Sequence, residues 1–235
     1  MRRFLTQLVR FGWLEFQSCA FAIGVFLGLA VAYLVPLPIE RYDALLIWCL
    51  ALTFGFWAIG LETWREVLVI FAFHALGLGL ELFKVAEGPW AYPGDAWTKV
   101  GGVPLFSGFM YAAVGSYICQ AWRRFDLRVS HYPAALTTVL RRCRVHFTVG
   151  DARYRMPLSL SFLLIGFFLW LAENMATFLN AWRYPGQADV WEAVHTSKLG
   201  AWALLVTMSF VLVATIKAQE GRLAGTPRNK GGCHA

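Results

Sequence analysis

Two carboxylates raise the first chemical question. Glu81 and Glu173 lie in apolar stretches, LELFKVAEGPWAYPGDAW (residues 80–97) and LAENMATFLNAWRYPGQADVW (residues 171–191). Each is followed nine residues later by the same aromatic turn, Trp90, Tyr92, Pro93, Gly94 in one and Trp182, Tyr184, Pro185, Gly186 in the other, at a constant offset of 92. A carboxylate inside hydrocarbon costs about 2.5–3.5 kcal/mol on insertion scales. It must therefore face the protein interior and be protonated, paired or hydrogen-bonded. Two such groups beside one cavity can act as acid and base, or as a proton or cation site. Glu81 and Glu173 are thus the candidate catalytic pair. Trp90, Tyr92, Trp182 and Tyr184 are candidate walls of a substrate site, since an aromatic face stabilises positive charge. His74, two helical turns before Glu81 on the same face, and Asn174, next to Glu173, complete the candidate substrate-binding set. Two plainer roles compete: Trp and Tyr also anchor proteins at the membrane interface, and Lys84, three residues after Glu81, can pair with it structurally.

Other chemistry is poorly represented. Asp189, Glu192 and His195 are spaced three apart, so one helical face would present all three, but a solvated amphipathic loop accounts for them as well. The five cysteines, Cys19, Cys49, Cys119, Cys143 and Cys233, have neither metal-ligand nor disulfide-framework spacing and read as packing residues and reduced thiols. There is no Walker loop, Rossmann glycine fingerprint, H-E-x-x-H or G-x-S-x-G. No metal and no cofactor are expected, and soluble nucleotide chemistry is excluded.

The elements that must position these groups follow from composition. The 235 residues are 58% hydrophobic and 15% charged, against about a quarter charged in ordinary soluble domains. Six segments are long enough to cross about 30 Å of hydrocarbon: roughly 16–35, 44–61, 67–83, 103–122, 157–179 and 199–217. The expected fold is all-α: a polytopic transmembrane bundle of about six helices forming a single integral membrane domain over 1–235. Residues 1–15 are an amphipathic cytoplasmic lead-in and 218–235 a disordered cytoplasmic tail. At 1.5 Å per residue, Glu81 and Glu173 lie roughly 21 and 24 Å along their segments, at similar depth.

The formal charge of +7 does not indicate nucleic acid, because Arg and Lys cluster in alternate loops: the N-terminus, Arg65, the stretch Arg123–Arg155 and the tail. This pattern puts both termini in the cytoplasm of a bacterial inner-membrane protein and both W-x-Y-P-G runs outside. The third and fourth segments, with the fifth and sixth, then form a parallel helix-loop-helix repeat; Lys99-Val-Gly101 and Lys198-Leu-Gly200 correspond beyond the turns. Stripes of small residues, Ala20, Gly24, Gly28, Ala32 and Gly108, Ala112, Ser116, let a neighbouring helix approach closely, either in the same chain or in a second copy.

The strings YPGDAWTKVGGVPLFSGFMYAAVGSYICQAWRRFDLR and YRMPLSLSFLLIGFFLWLAEN resemble the YoaT-like family of bacterial integral membrane proteins, a domain of unknown function, over about Gly60 to Lys217. The resemblance implies a polytopic membrane protein and supplies no activity. Family members tend to be longer, with added apolar sequence, between the equivalents of Tyr132 and Arg144; if two helices are lost here, parity and orientation survive, but residues the family uses there are missing. A second, shorter similarity, carried by Glu81, Gly88, Trp90, Tyr92, Gly102 and Pro104, is to membrane carotenoid hydratases and small lycopene cyclases. It implies membrane-embedded carboxylates that protonate or hydrate isoprenoid double bonds.

The resulting expectation is an inner-membrane protein that binds or transforms a lipid or isoprenoid between two hairpin repeats, with the bilayer itself as partner. The rivals are a small proton- or cation-coupled transporter, and a non-catalytic structural subunit that forms homo-oligomers or meets a membrane partner through its small-residue stripes.

Overall fold

The computed structural model describes residues 2–88, 91–130, 143–184 and 191–219. Seven helices run through them: α1 (Arg2–Ser18), α2 (Ala20–Leu34), α3 (Arg41–Ala58), α4 (Trp64–Ala86), α5 (Gly108–Arg124), α6 (Leu158–Phe178) and α7 (Lys198–Gln219). Each of the six apolar segments contains one, and α1 precedes them. Three helices are long and apolar enough to cross a membrane, α4, α6 and the Lys198–Thr215 part of α7, or four if α1 and α2, bent by 63°, are one broken span. The remaining segments carry shorter or more polar helices: α2 has 15 residues, α5 has 17, and α3 opens on Arg41 and Asp43.

α5 is the hub. Buried residues line nearly its whole length, and it packs against α1, α2, α4 and α7. Because its surroundings are protein on most sides, it can use small and polar residues (Gly115, Ser116, Gln120) where a lipid-facing helix needs large apolar ones. Glycines set the closest approaches. A Cβ at Gly77 of α4 would lie 2.5 Å from the Tyr111 ring, and one at Gly108 would lie 2.4 Å from the His74 carbonyl oxygen. The stripe on α2 is occupied within the chain: Gly28 abuts Trp48 and Gly24 abuts Leu52, both on α3, and Trp48 Nε1 donates to the Gly24 carbonyl at 2.8 Å. α4 begins with a capping box, in which Thr63 N donates to Glu66 Oε2 at 2.7 Å and Glu66 N to Thr63 Oγ1 at 3.3 Å.

The expectation of an all-α chain needs correction in the loops. A two-stranded ribbon, β1 (Lys99–Val100) and β2 (Val103–Pro104), precedes a 3₁₀ turn, Leu105–Ser107, and α5. The basic stretch after α5 forms a three-stranded antiparallel sheet in the order β3 (Arg128–Ser130), β4 (Arg144–Val149) and β5 (Ala152–Pro157). Apolar and polar residues alternate along RVHFTV, and Gly150 at φ +59° opens the two-residue turn to β5. Read only for its charge, this stretch passes for a loop; read for its period, it is a hairpin.

Candidate carboxylate cavity

The loops after α4 and α6 are held in place by three consecutive residues at the start of α3. Asp43 accepts from Trp97 N at 2.9 Å, Thr98 N at 3.0 Å and Thr98 Oγ1 at 2.5 Å, which fixes the loop after α4. Arg41 donates to the carbonyls of Asn180 at 2.8 Å and Leu179 at 2.6 Å, and Tyr42 Oη donates to that of Ala181 at 3.2 Å, which fixes the loop after α6. Between the loops Ala91 and Arg183 form an antiparallel bridge, N–H to O at 3.3 and 3.2 Å in the two directions. These are the middle residues of the two W-x-Y runs, so each run pairs with its counterpart at its own centre.

That bridge sets two tyrosines over two carboxylates. Glu81 and Glu173 are 2% and 3% exposed. Tyr92 Oη donates to Glu81 Oε2 at 2.8 Å, and Tyr184 Oη to Glu173 Oε1 at 2.5 Å, each pair eleven residues apart. The other oxygens face donors from different helices. Glu81 Oε1 accepts from Tyr111 Oη of α5 at 2.5 Å and from Lys84 Nζ at 3.3 Å. Lys84 Nζ also donates to Tyr111 Oη at 2.7 Å, which turns that hydroxyl's own proton toward Glu81. Glu173 Oε2 accepts from Trp202 Nε1 of α7 at 2.5 Å.

An ammonium and an indole N–H can only donate, whereas a phenol donates or accepts. In each half, one carboxylate oxygen is therefore pinned as an acceptor, by Lys84 and oriented Tyr111 or by Trp202. A proton on the carboxyl has a place only on the oxygen that meets Tyr92 or Tyr184. Both phenols stay protonated. Burial pushes Tyr92 well up, and the Glu81 charge adds to it. Burial raises Tyr184 in the same way, followed by Glu173 and more distantly by Glu81.

Both carboxylates line one cavity of about 110 Å³ walled by residues of α2, α4, α5, α6, α7 and the connecting loops. Its walls are otherwise apolar and aromatic, with Phe26, Tyr92, Tyr111, Tyr117, Trp182 and Trp202 among them. Ser107 is also buried there, close enough to the Tyr92 hydroxyl to act on it.

Of the residues singled out from the sequence, Glu81, Glu173, Tyr92 and Trp182 line this cavity, and Tyr184 holds Glu173. Trp90 lies outside the described residues. His74 stands elsewhere, its ring 4.3 Å from that of Phe109 and its carbonyl against Gly108. Asn174 ties down the loop after α6, donating to the Trp170 carbonyl at 2.8 Å and accepting from Val194 N at 2.9 Å. Asp189 is outside the described residues, and Glu192 and His195 lie in a non-helical segment rather than on one helical face. No group of three or more His, Cys, Asp or Glu that could hold a metal occurs among the described residues. Tyr111, Trp202 and the Arg41–Asp43 triplet were not anticipated. Tyr111 and Trp202 are 91 residues apart, which matches neither the offset of 92 up to the turns nor the 99 between Lys99 and Lys198 beyond them, so no repeat spacing marks them.

Fold and cavity define a mostly helical protein with three to four candidate membrane-spanning helices and a buried pair of carboxylates. The chain belongs to the family described as "Protein of unknown function (DUF817)", whose model matches residues 7–141 and 134–210. It is similar to "Uncharacterized protein YoaT" of Bacillus subtilis (strain 168), at 44% identity over 246 positions covering 92% of this chain and 93% of the relative. The alignment is longer than this chain, so the relative carries residues absent here. The two parts of the family match meet at 134–141, within the segment that reads as short. No solved structure matches.

Proposed function

We propose that this protein crosses the bacterial cytoplasmic membrane six times with both termini inside, and that α4–α5 and α6–α7 are two copies of one hairpin about a local two-fold axis. The cavity between them takes a reacting segment of a lipid or isoprenoid. Glu81 and Glu173 serve as proton donor and as the group that stabilises positive charge, with Tyr92 and Tyr184 as the partners through which their protons enter and leave. One observation carries this reading: the two carboxylates line the same apolar cavity, and each has one oxygen that meets only the tyrosine of its own aromatic turn, Tyr92 or Tyr184. Protonation of a double bond makes a carbocation, which a carboxylate and the faces of Trp182 and Trp202 can hold.

The volume of about 110 Å³ is below the ~300–1,000 Å³ of pockets that enclose whole ligands, so only part of a long chain would enter. The same small volume supports a second reading, in which the carboxylates pass protons or a small cation.

The test is mass spectrometry of the molecules that copurify with the wild type and with a Glu81→Gln, Glu173→Gln double variant. A defined isoprenoid or lipid, held stoichiometrically by the wild type and lost or chemically changed in the variant, is the expected result. Bulk phospholipid alone in both preparations would remove the first reading. Proton flux into vesicles, abolished by either Gln substitution, would then establish the second.

A further inference from the structure

The sheet of β3, β4 and β5 has two unlike faces. Its register sets Arg128 opposite His146, His146 opposite Arg155, Thr148 opposite Arg153 and Ser130 opposite Arg144. Cross-strand partners share a side and alternate residues of a strand return to it. Arg128, Arg144, His146, Arg153 and Arg155 therefore lie on one face. Val129, Val145, Phe147 and Val149 lie on the other, the three valines buried and the Phe147 ring set against Phe11 of α1 and Phe125. The apolar face is thus covered by helices, and the four arginines of the basic face are all exposed.

A cavity of about 240 Å³ opens at this sheet, walled by Asp126, Arg128, His146, Thr148 and Arg153, with Val129 and Phe147 contributing. Asp126 engages one edge of Arg128, with Nη2 to Oδ2 at 3.3 Å. Guanidinium, imidazole and hydroxyl donors converging on one space suit a phosphate, whose oxygens match the guanidinium fork.

The position of the sheet says which phosphate. β5 runs without a linker into α6, and β3 follows α5 after three residues. The basic face therefore sits at the ends of the helices, where lipid headgroups begin. Helix α1 packs on β4, and a Cβ at Gly150 would lie 2.5 Å from Arg10 Nη1. On α1, Phe4, Leu5, Leu8, Val9, Trp13 and Phe16 are each more than half exposed. An apolar stripe of that kind beside Arg2, Arg3 and Arg10 fits a helix lying in the boundary between headgroups and acyl chains.

We propose that the basic face of the sheet is a docking site for the phosphate groups of anionic phospholipids in the cytoplasmic leaflet, with Arg128, Arg153, His146 and Thr148 as the contact set and α1 inserted alongside. The site rests on the membrane-spanning reading given above. Resistance of the full chain to alkaline carbonate extraction tests that reading separately.

The docking itself is tested on the full-length protein in detergent by titrating dioleoyl phosphatidylglycerol, dioleoyl phosphatidylcholine or inorganic phosphate and following thermal unfolding. Phosphatidylglycerol should raise the melting temperature where phosphatidylcholine does not. An Arg128→Gln, Arg153→Gln variant should need at least about tenfold more of it for the same rise, and an Arg128→Lys, Arg153→Lys variant should recover much of the response. Equal responses to the two lipids, an unchanged titration in the Gln variant, or a full response to inorganic phosphate alone would each overturn the assignment.

Discussion

Glu62 is a buried carboxyl outside the candidate membrane-spanning helices. It lies in the turn between α3 and α4, 2% exposed, and accepts from Ser116 Oγ at 2.5 Å, with Gln120 and Glu66 beside it. Burial is the largest influence on its carboxyl and raises it. Ser116 and Gln120 pull it back, neighbouring Glu66 raises it again, and the result is a value of about 7 against an ordinary 4.5. The folded chain therefore holds a proton that the unfolded chain has already released between those values. Stability from this group is complete below about pH 4.5 and declines as pH rises through 7, by at most about 3 kcal/mol. Thermal melts in detergent at pH 5 and pH 8 should show the wild type less stable at the higher pH and Glu62→Gln nearly indifferent. A wild type with no such slope would mean that Glu62 is charged throughout. The sequence pointed to the other carboxylates because they recur with a tyrosine eleven residues on; Glu62, in the turn before α4, and Glu66, in its first helical turn, have no such echo. Tyr111 and Trp202 were missed for a related reason, since a donor supplied by a neighbouring helix leaves no fixed spacing from the group it serves.

At the level of elements, the α4–α5 contact links packing to chemistry. Gly77 faces the ring of Tyr111, the same side chain that donates to Glu81, whereas a Cβ at Gly79, two residues on in α4, would meet nothing within 4 Å. Gly77→Ala must push Tyr111 or part the helices, and overpacking of this kind costs about 1–3 kcal/mol. Gly79→Ala adds helix propensity and should be neutral or stabilising by about 0.5–1 kcal/mol. Melting temperatures of the two variants should therefore move in opposite directions, and the loss in Gly77→Ala should be smaller in a Tyr111→Phe background if the phenol's position is part of the cost. Equal effects at both glycines would mean that the helices are not in contact at Tyr111. The helices themselves were legible because continuous apolar runs of this length have few alternatives. The sheet was not, because its alternation spans only six residues per strand and was overshadowed by the density of arginine.

For the whole molecule, the question is how two hairpins that are far apart in sequence are held in one relation. α3 supplies the frame: Asp43 binds the loop after α4, and Arg41 with Tyr42 binds the loop after α6. Lys99 and Lys198, paired in the sequence reading, each stand on their own turn. Lys99 Nζ donates to the carbonyls of Tyr92 and Gly94, and Lys198 Nζ lies 5.1 Å from the centre of the Tyr184 ring. The Ala91–Arg183 bridge joins the two halves. Because both of its N–H groups reach across, it is a hydrogen-bonded antiparallel pair, with an expected Cα separation of about 5.5 Å, inside the ~4.4–6.8 Å that a disulfide spans. An Ala91→Cys, Arg183→Cys variant should therefore close a disulfide on mild oxidation, detected as a linked peptide by mass spectrometry. An Ala91→Cys, Lys198→Cys variant tests proximity alone and should close far less. The crosslink also separates the two readings of the cavity. If the halves form a fixed enclosure for a ligand segment, the oxidised protein should keep whatever copurifies with the reduced one. If they rock against each other to pass protons or cations, oxidation should stop flux and reduction should restore it. Failure to crosslink at all would mean that the two aromatic turns are not paired, and the two-fold relation between the hairpins would have to be abandoned.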